Sequence, residues 1–177
     1  MSRIHKLANA MFGTSVLDRQ HVKLVKDIES LCHLVSSNKI SGTFFQKIDS
    51  FRQSLEIHFR CEEEVFQLLP EEKYKYYLDQ HASGHRDTLS RIDTIIYVIR
   101  NGQNTFRERE IVASCLYSLI DRFMMDDDRL AAYLIDEGID ISEIEFKALE
   151  PLRDRDGRVH PVSPGERSAV AGSPFHI

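Results

Sequence analysis

His58 and Glu62 stand four residues apart, and so do His81 and His85. On a helix, side chains at that spacing leave from the same face, so each pair offers two electron-pair donors to one place. His21 lies in phase with Leu24 and Ile28 on an apolar stripe, and Asp127 lies in phase with Ile120, Phe123, Leu130 and Leu134. Polar groups left unpaired in a core cost roughly 1–3 kcal/mol each. A cation removes that cost, and imidazole with carboxylate suits iron, manganese or zinc. Carboxylates can also bridge two ions, so a binuclear site favours a Glu and an Asp among the histidines. Taken singly, each signal is weak. A lone HxxxE or HxxxH occurs on many helices, one in-phase histidine more often packs or faces solvent, and a run such as Asp126-Asp127-Asp128 is more often a solvated face. The coincidence of four elements, one per helix, carries the metal reading.

The helices that must position these groups are marked by apolar residues at three- and four-residue intervals from Ser15 to Glu137, where Gly and Pro are scarce. The pattern predicts a first helix from near Ser15 to the polar stretch Ser36-Ser37-Asn38. Thr43-Phe44-Phe45-Gln46 has the form of a capping box and opens a second helix that runs to about Leu69, ahead of Pro70. A third is expected from Asp79, a good N-cap, to Asn101-Gly102. Thr105-Phe106-Arg107-Glu108, another capping box, opens a fourth that closes before Gly138. Four helices with short connections give an all-α fold, an antiparallel up-down-up-down four-helix bundle. We assign the bundle to residues 1–140, a short helix to 141–150, and a disordered tail to 151–177. That tail holds four prolines and three glycines in 27 residues and too few large apolar groups to offset its ordering entropy.

Composition sets outer bounds. The net charge is −5 with basic residues spread along the chain, which argues against a nucleic-acid footprint. No apolar run is long enough to span a membrane, and Met1-Ser2-Arg3-Ile4-His5-Lys6 lacks the apolar stretch of a signal peptide. Cys32, Cys61 and Cys115 form no paired framework and no CxxC. Reduced thiols and a cytoplasmic location are expected. Cys61, beside Glu62, reads as a small buried filler rather than a redox group. His5, His33, His160 and His176 have no partners at useful spacing, Met124 and Met125 read as packing residues, and Tyr74, Tyr76 and Tyr77 fall in the connection before the third helix.

The segments Leu17-Asp18-Arg19-Gln20-His21, His58-Phe59-Arg60-Cys61-Glu62-Glu63 and His81-Ala82-Ser83-Gly84-His85, in that order, resemble the signature of the bacterial hemerythrins. The resemblance covers roughly residues 12 to 136. It implies a bundle holding two irons that reversibly bind dioxygen. His21 and His58 would bind one iron, His81 and His85 the other, and Glu62 would bridge them. Aligning Leu130-Ala131-Ala132-Tyr133-Leu134 makes Asp127 the second bridging carboxylate and puts Arg122 where the family has a fifth histidine. A one-residue slip puts Asp121 there and Asp126 at the bridge, in poorer apolar phase. Arginine has no lone pair to donate. The second iron then keeps an open or water-filled position, or gains an oxygen from Asp126 or Asp121. Alternatively, the site reduces to one iron at His21, His58, Glu62 and Asp127.

The leading expectation is a non-enzymatic iron protein that binds or senses dioxygen or a related small oxidant, with signalling through a separate partner. An iron enzyme acting on peroxide, nitric oxide or ferrous iron is the second reading, and a metal-free degenerate bundle serving as an interaction module is the third.

Overall fold

The computed structural model describes residues 16–142, 144 and 146–149, the side chains of 120–125 and 148 excepted. Four helices carry the fold: α1 (Leu17–Ser36), α2 (Gly42–Phe66), α3 (Glu71–Asn101) and α4 (Phe106–Asp136). α1 packs on α2 and α4, and α3 packs on the same two, so the four close into a bundle. No helix among the described residues is long and apolar enough to cross a membrane. The first 15 residues and the tail expected from 151 lie outside the described residues, as does Ser15, where the apolar pattern starts.

Local chemistry explains most boundaries. α1 ends on a Schellman turn: the Lys39 N–H donates to Leu34 O and the Asn38 N–H to Val35 O, with Asn38 at φ 55°. α4 ends the same way through Ile139 and Gly138, the latter at φ 66°. At the close of α3, Gly102 has ordinary φ, and a Cβ there would sit 2.6 Å from Val98 O. Close approach to the helix end, rather than a left-handed turn, explains that glycine. Thr105 and Glu108 form the expected capping box at α4, each bonding the other's backbone N–H.

Two boundaries differ from the sequence expectation. α2 begins at Gly42 after Ser41, without a side-chain cap, so Thr43 and Gln46 lie inside the helix and form no capping box. α3 begins at Glu71, two turns before Asp79. Pro70 occupies its N-cap position, and Glu71 and Glu72 in the first turn complement the exposed N–H groups. Tyr74, Tyr76 and Tyr77 are therefore helical residues. Where a short helix is expected over 141–149, the described residues include a 3-10 turn at Lys147–Leu149, while 143 and 145 lie outside them. Ile141 and Phe146 are nevertheless buried, and the Lys147 N–H donates to Glu64 Oε2 at 2.8 Å on α2.

Two apolar clusters stack along the bundle. One gathers Leu24, Ile28, Phe44, Phe51, Leu55, Ile92, Leu116 and Leu119, and the other Leu17, Cys61, Val65, Tyr74, Leu130, Leu134 and Phe146. Chain order passes from the second cluster to the first along α1 and α3, and the reverse along α2 and α4. That alternation is the antiparallel topology. On every helix a polar residue falls between the clusters: His21, then His58 and Glu62, then His81 and His85, then Asp127.

Candidate metal centre

Those six side chains are all buried; His58 and Glu62 are inaccessible to solvent. His21, His58, Glu62 and Asp127 place one donor atom each within 4.8 Å of one another, and Glu62, His81 and His85 do the same. Glu62 belongs to both groups. Its Oε1 lies 3.6 Å from His58 Nε2, while Oε2 lies 3.1 Å from His85 Nε2 and 3.8 Å from His81 Nε2. Asp127 also reaches both sides, with Oδ2 3.0 Å from His21 Nε2 and Oδ1 3.6 Å from His81 Nε2. Asp126, the alternative bridge, is half-buried and belongs to neither group. The structure thus unites the six residues singled out by spacing. The side chains of Asp121, Arg122, Met124 and Met125 lie outside the described residues, so the fifth-histidine position does too.

The rings are held from behind. His58 Nδ1 is 3.0 Å from Gln20 Oε1, His85 Nδ1 is 3.0 Å from Glu63 Oε1, and His81 Nδ1 is 2.9 Å from the Tyr77 hydroxyl. An amide or carboxylate oxygen accepts, so His58 and His85 donate from Nδ1 and turn the Nε2 lone pair toward the cluster. Phe59 stacks on His85 at a centroid distance of 3.9 Å, and Phe66 lies 5.0 Å from His81. These contacts fix ring orientation. Gln20 and Glu63 adjoin His21 and Glu62 in sequence and Tyr77 lies one turn before His81, yet spacing analysis did not single them out as supports. Adjacency to a donor was the signal.

Burial makes the cluster expensive without a cation. Desolvation, with the Asp127 carboxylate behind it, raises the Glu62 carboxyl well above the usual range. Desolvation and the neighbouring His21 depress His58 well below its ordinary value. For His21, burial alone would lower the imidazole, but Asp127 outweighs it and holds the group above its ordinary value. For Asp127, burial alone would raise the carboxyl, but His21 at 3.0 Å and the imidazoles around it hold it below the carboxylate range. Among the described residues, both Glu62 oxygens and His85 Nε2 are buried without a hydrogen-bond partner. Three orphaned donor atoms, aimed inward beside further imidazoles and a carboxylate, fit a metal ion.

The other candidates have ordinary roles. Cys61 is fully buried, with its thiol 3.7 Å from Gln20 Nε2 and pushed up by burial. His33 is exposed, and His5, His160 and His176 lie outside the described residues.

With this geometry in place, comparison with known families is decisive. The Hemerythrin HHE cation binding domain model matches residues 13–132. The chain belongs to that family and is a metal-binding protein. Searches of curated proteins and of solved structures find no match.

Proposed function

We propose that the buried cluster holds two iron ions bridged by Glu62 and Asp127, and that the protein takes up dioxygen or a related small oxidant there as a sensor. The observation that carries this reading is Glu62. Its two carboxylate oxygens are buried and orphaned, and each faces a different set of imidazoles. A carboxylate so placed serves two cations better than one. His21 and His58 then hold one ion, and His81 and His85 the other.

Iron in this position supplies the electrons and the open coordination positions with which dioxygen is taken up. The chain's residues supply the rest. Gln20 and Glu63 keep Nε2 of His58 and His85 facing the cluster, and Phe59 and Phe66 exclude water from its edge. Among the described residues, His21, His58, Glu62 and Asp127 form a four-donor group and Glu62, His81 and His85 a three-donor group, and a bridging Asp127 would complete four donors for the second ion as well. The resemblance places Arg122, which has no lone pair to donate, where the family has a fifth histidine, and a position left open there would let an oxidant bind the ion directly, which favours sensing over stable carriage. The four-donor group formed by His21, His58, Glu62 and Asp127 supports a second reading, a single ion held there.

Metal analysis of protein from iron-replete cells, with an optical spectrum in air and after reduction, tests both. About two irons per chain with near-ultraviolet charge-transfer bands support the paired site. Spectral return on re-oxygenation separates reversible binding from irreversible oxidation. About one iron selects the second reading, and a folded protein without metal overturns both. Glu62→Gln, which keeps shape but removes the bridging charge, is expected to abolish uptake of the second ion.

A further inference from the structure

We propose that Tyr77 is a positioning residue that sets the tautomer of His81 and ties it to the helix carrying Asp127. The inference rests on the metal reading above and names a residue that reading does not use.

The Tyr77 hydroxyl lies 2.8 Å from the backbone carbonyl oxygen of Asp126 and 2.9 Å from His81 Nδ1. A carbonyl only accepts, and a phenol has one proton, so Tyr77 donates to Asp126 O. Its oxygen must then accept from His81, which carries its proton on Nδ1. The lone pair of neutral His81 is consequently on Nε2, which faces Asp127 Oδ1 at 3.6 Å and Glu62 Oε2 at 3.8 Å. Without the phenol, those two carboxylates would favour the opposite tautomer, with the proton on Nε2 and no lone pair in the cluster.

The same hydroxyl joins two helices. Tyr77 and His81 are one turn apart on α3, whereas Asp126 precedes Asp127 on α4. One hydrogen-bonded chain, His81 Nδ1–H to Tyr77 O–H to Asp126 O, therefore fixes the ring of one donor and the backbone beside another. His58 and His85 are held by single acceptors on a neighbouring helix, Gln20 on α1 and Glu63 on α2, and an accepting oxygen cannot pass the bond on to a further group as a hydroxyl does. The Tyr77 ring packs at 4.8 Å from the Tyr133 ring, so removing only the hydroxyl leaves the packing in place.

The test is Tyr77→Phe, with Tyr133→Phe as a control that removes a hydroxyl from the same aromatic cluster without touching His81. In metal-free protein carrying nitrogen-15 histidine, at a pH where the ring is neutral, His81 of the wild type is expected to be protonated on Nδ1. In Tyr77→Phe the proton is expected to move to Nε2, and in Tyr133→Phe to stay. A wild-type His81 protonated on Nε2, or an unchanged tautomer in Tyr77→Phe, overturns the proposal. The wild-type tautomer decides alone if the variant does not fold. Competition of the wild type and both variants for zinc against a chelator gives the second readout. Loss of an outer hydrogen bond to a ligand commonly weakens metal affinity 10–100-fold, and that loss is expected for one ion in Tyr77→Phe only. Equal affinities of Tyr77→Phe and wild type overturn the positioning role. Failure of the wild type to take up any metal overturns the metal reading instead and leaves the tautomer to judge Tyr77.

Discussion

Two regions of this bundle are built on opposite principles, the apolar end at the α1–α2 and α3–α4 turns and the polar layer that separates it from the second apolar cluster. Phe44, Phe51, Leu55 and Ile92 pack in an apolar cluster and have no accessible surface, and the end is closed by paired turns in which Asn104 donates to Asn38 across 3.0 Å. Around Glu62 the interior is polar, and three buried donor atoms lack partners among the described residues. The first region gains stability from burial itself. The second loses it on burial and recovers it only when a cation arrives. The apolar clusters therefore make the fold, and the polar layer between them is a site whose cost the fold must carry.

Three perturbations sharpen that contrast. Phe51→Ala, at the apolar end, is expected to cost about 3–5 kcal/mol, by the same amount with and without metal, in denaturant titration. An effect that depends on metal would show that the two regions are not separable. Stripping metal from the loaded protein is expected to cost about 2.7 kcal/mol when free metal stood at a hundred times its dissociation constant. That is a fall of roughly 5–10 °C in melting temperature for a domain of this size. Glu62→Gln should reverse the sign at the polar layer: the metal-free protein becomes no less stable, because a desolvated acid is gone, while the metal-induced rise shrinks. A metal-free Glu62→Gln protein that melts well below wild type would contradict the claim that this layer is costly.

Two smaller effects belong to the apolar end. Thr105→Ala removes the α4 cap and is expected to cost about 1 kcal/mol in either metal state. Its partner Glu108 accepts from the Thr105 N–H, and this holds the carboxyl below its ordinary value. A carboxyl depressed in the folded state stabilises above its unfolded pKa, and that contribution is lost as the pH falls through the folded value. Glu108→Gln should therefore be slightly less stable near neutrality, with the difference vanishing in acid. A difference that persists at low pH would mean that the cap does not depend on the charge.

The chain's chemistry was legible in sequence to the extent that it is periodic. Histidine and carboxylate at four-residue spacing on apolar stripes mark a common face whatever the tertiary fold, because the helix repeat fixes it. The turns after α1 and α4 were marked by Asn38 and Gly138, and the α4 cap by Thr105 and Glu108, since these signals are satisfied within a few residues. The start of α3 was misplaced because Asp79 is a good cap in isolation, whereas Pro70, the acidic first turn and burial of Tyr74 favour an earlier start. The Thr43 box failed for a related reason: the helix had begun before it.

What the sequence by itself determined is the set of donors and the helices that bear them, because both follow from local spacing. What only the tertiary structure decided is which donors share an ion and what holds each ring. Asp127 was separated from Asp126 by burial, and Glu62 became the shared group because antiparallel packing set α2 between α1 and α3. Tyr77 became the partner of both His81 and Asp126 because α3 and α4 meet there, and no periodicity within one helix encodes a hydrogen bond to another.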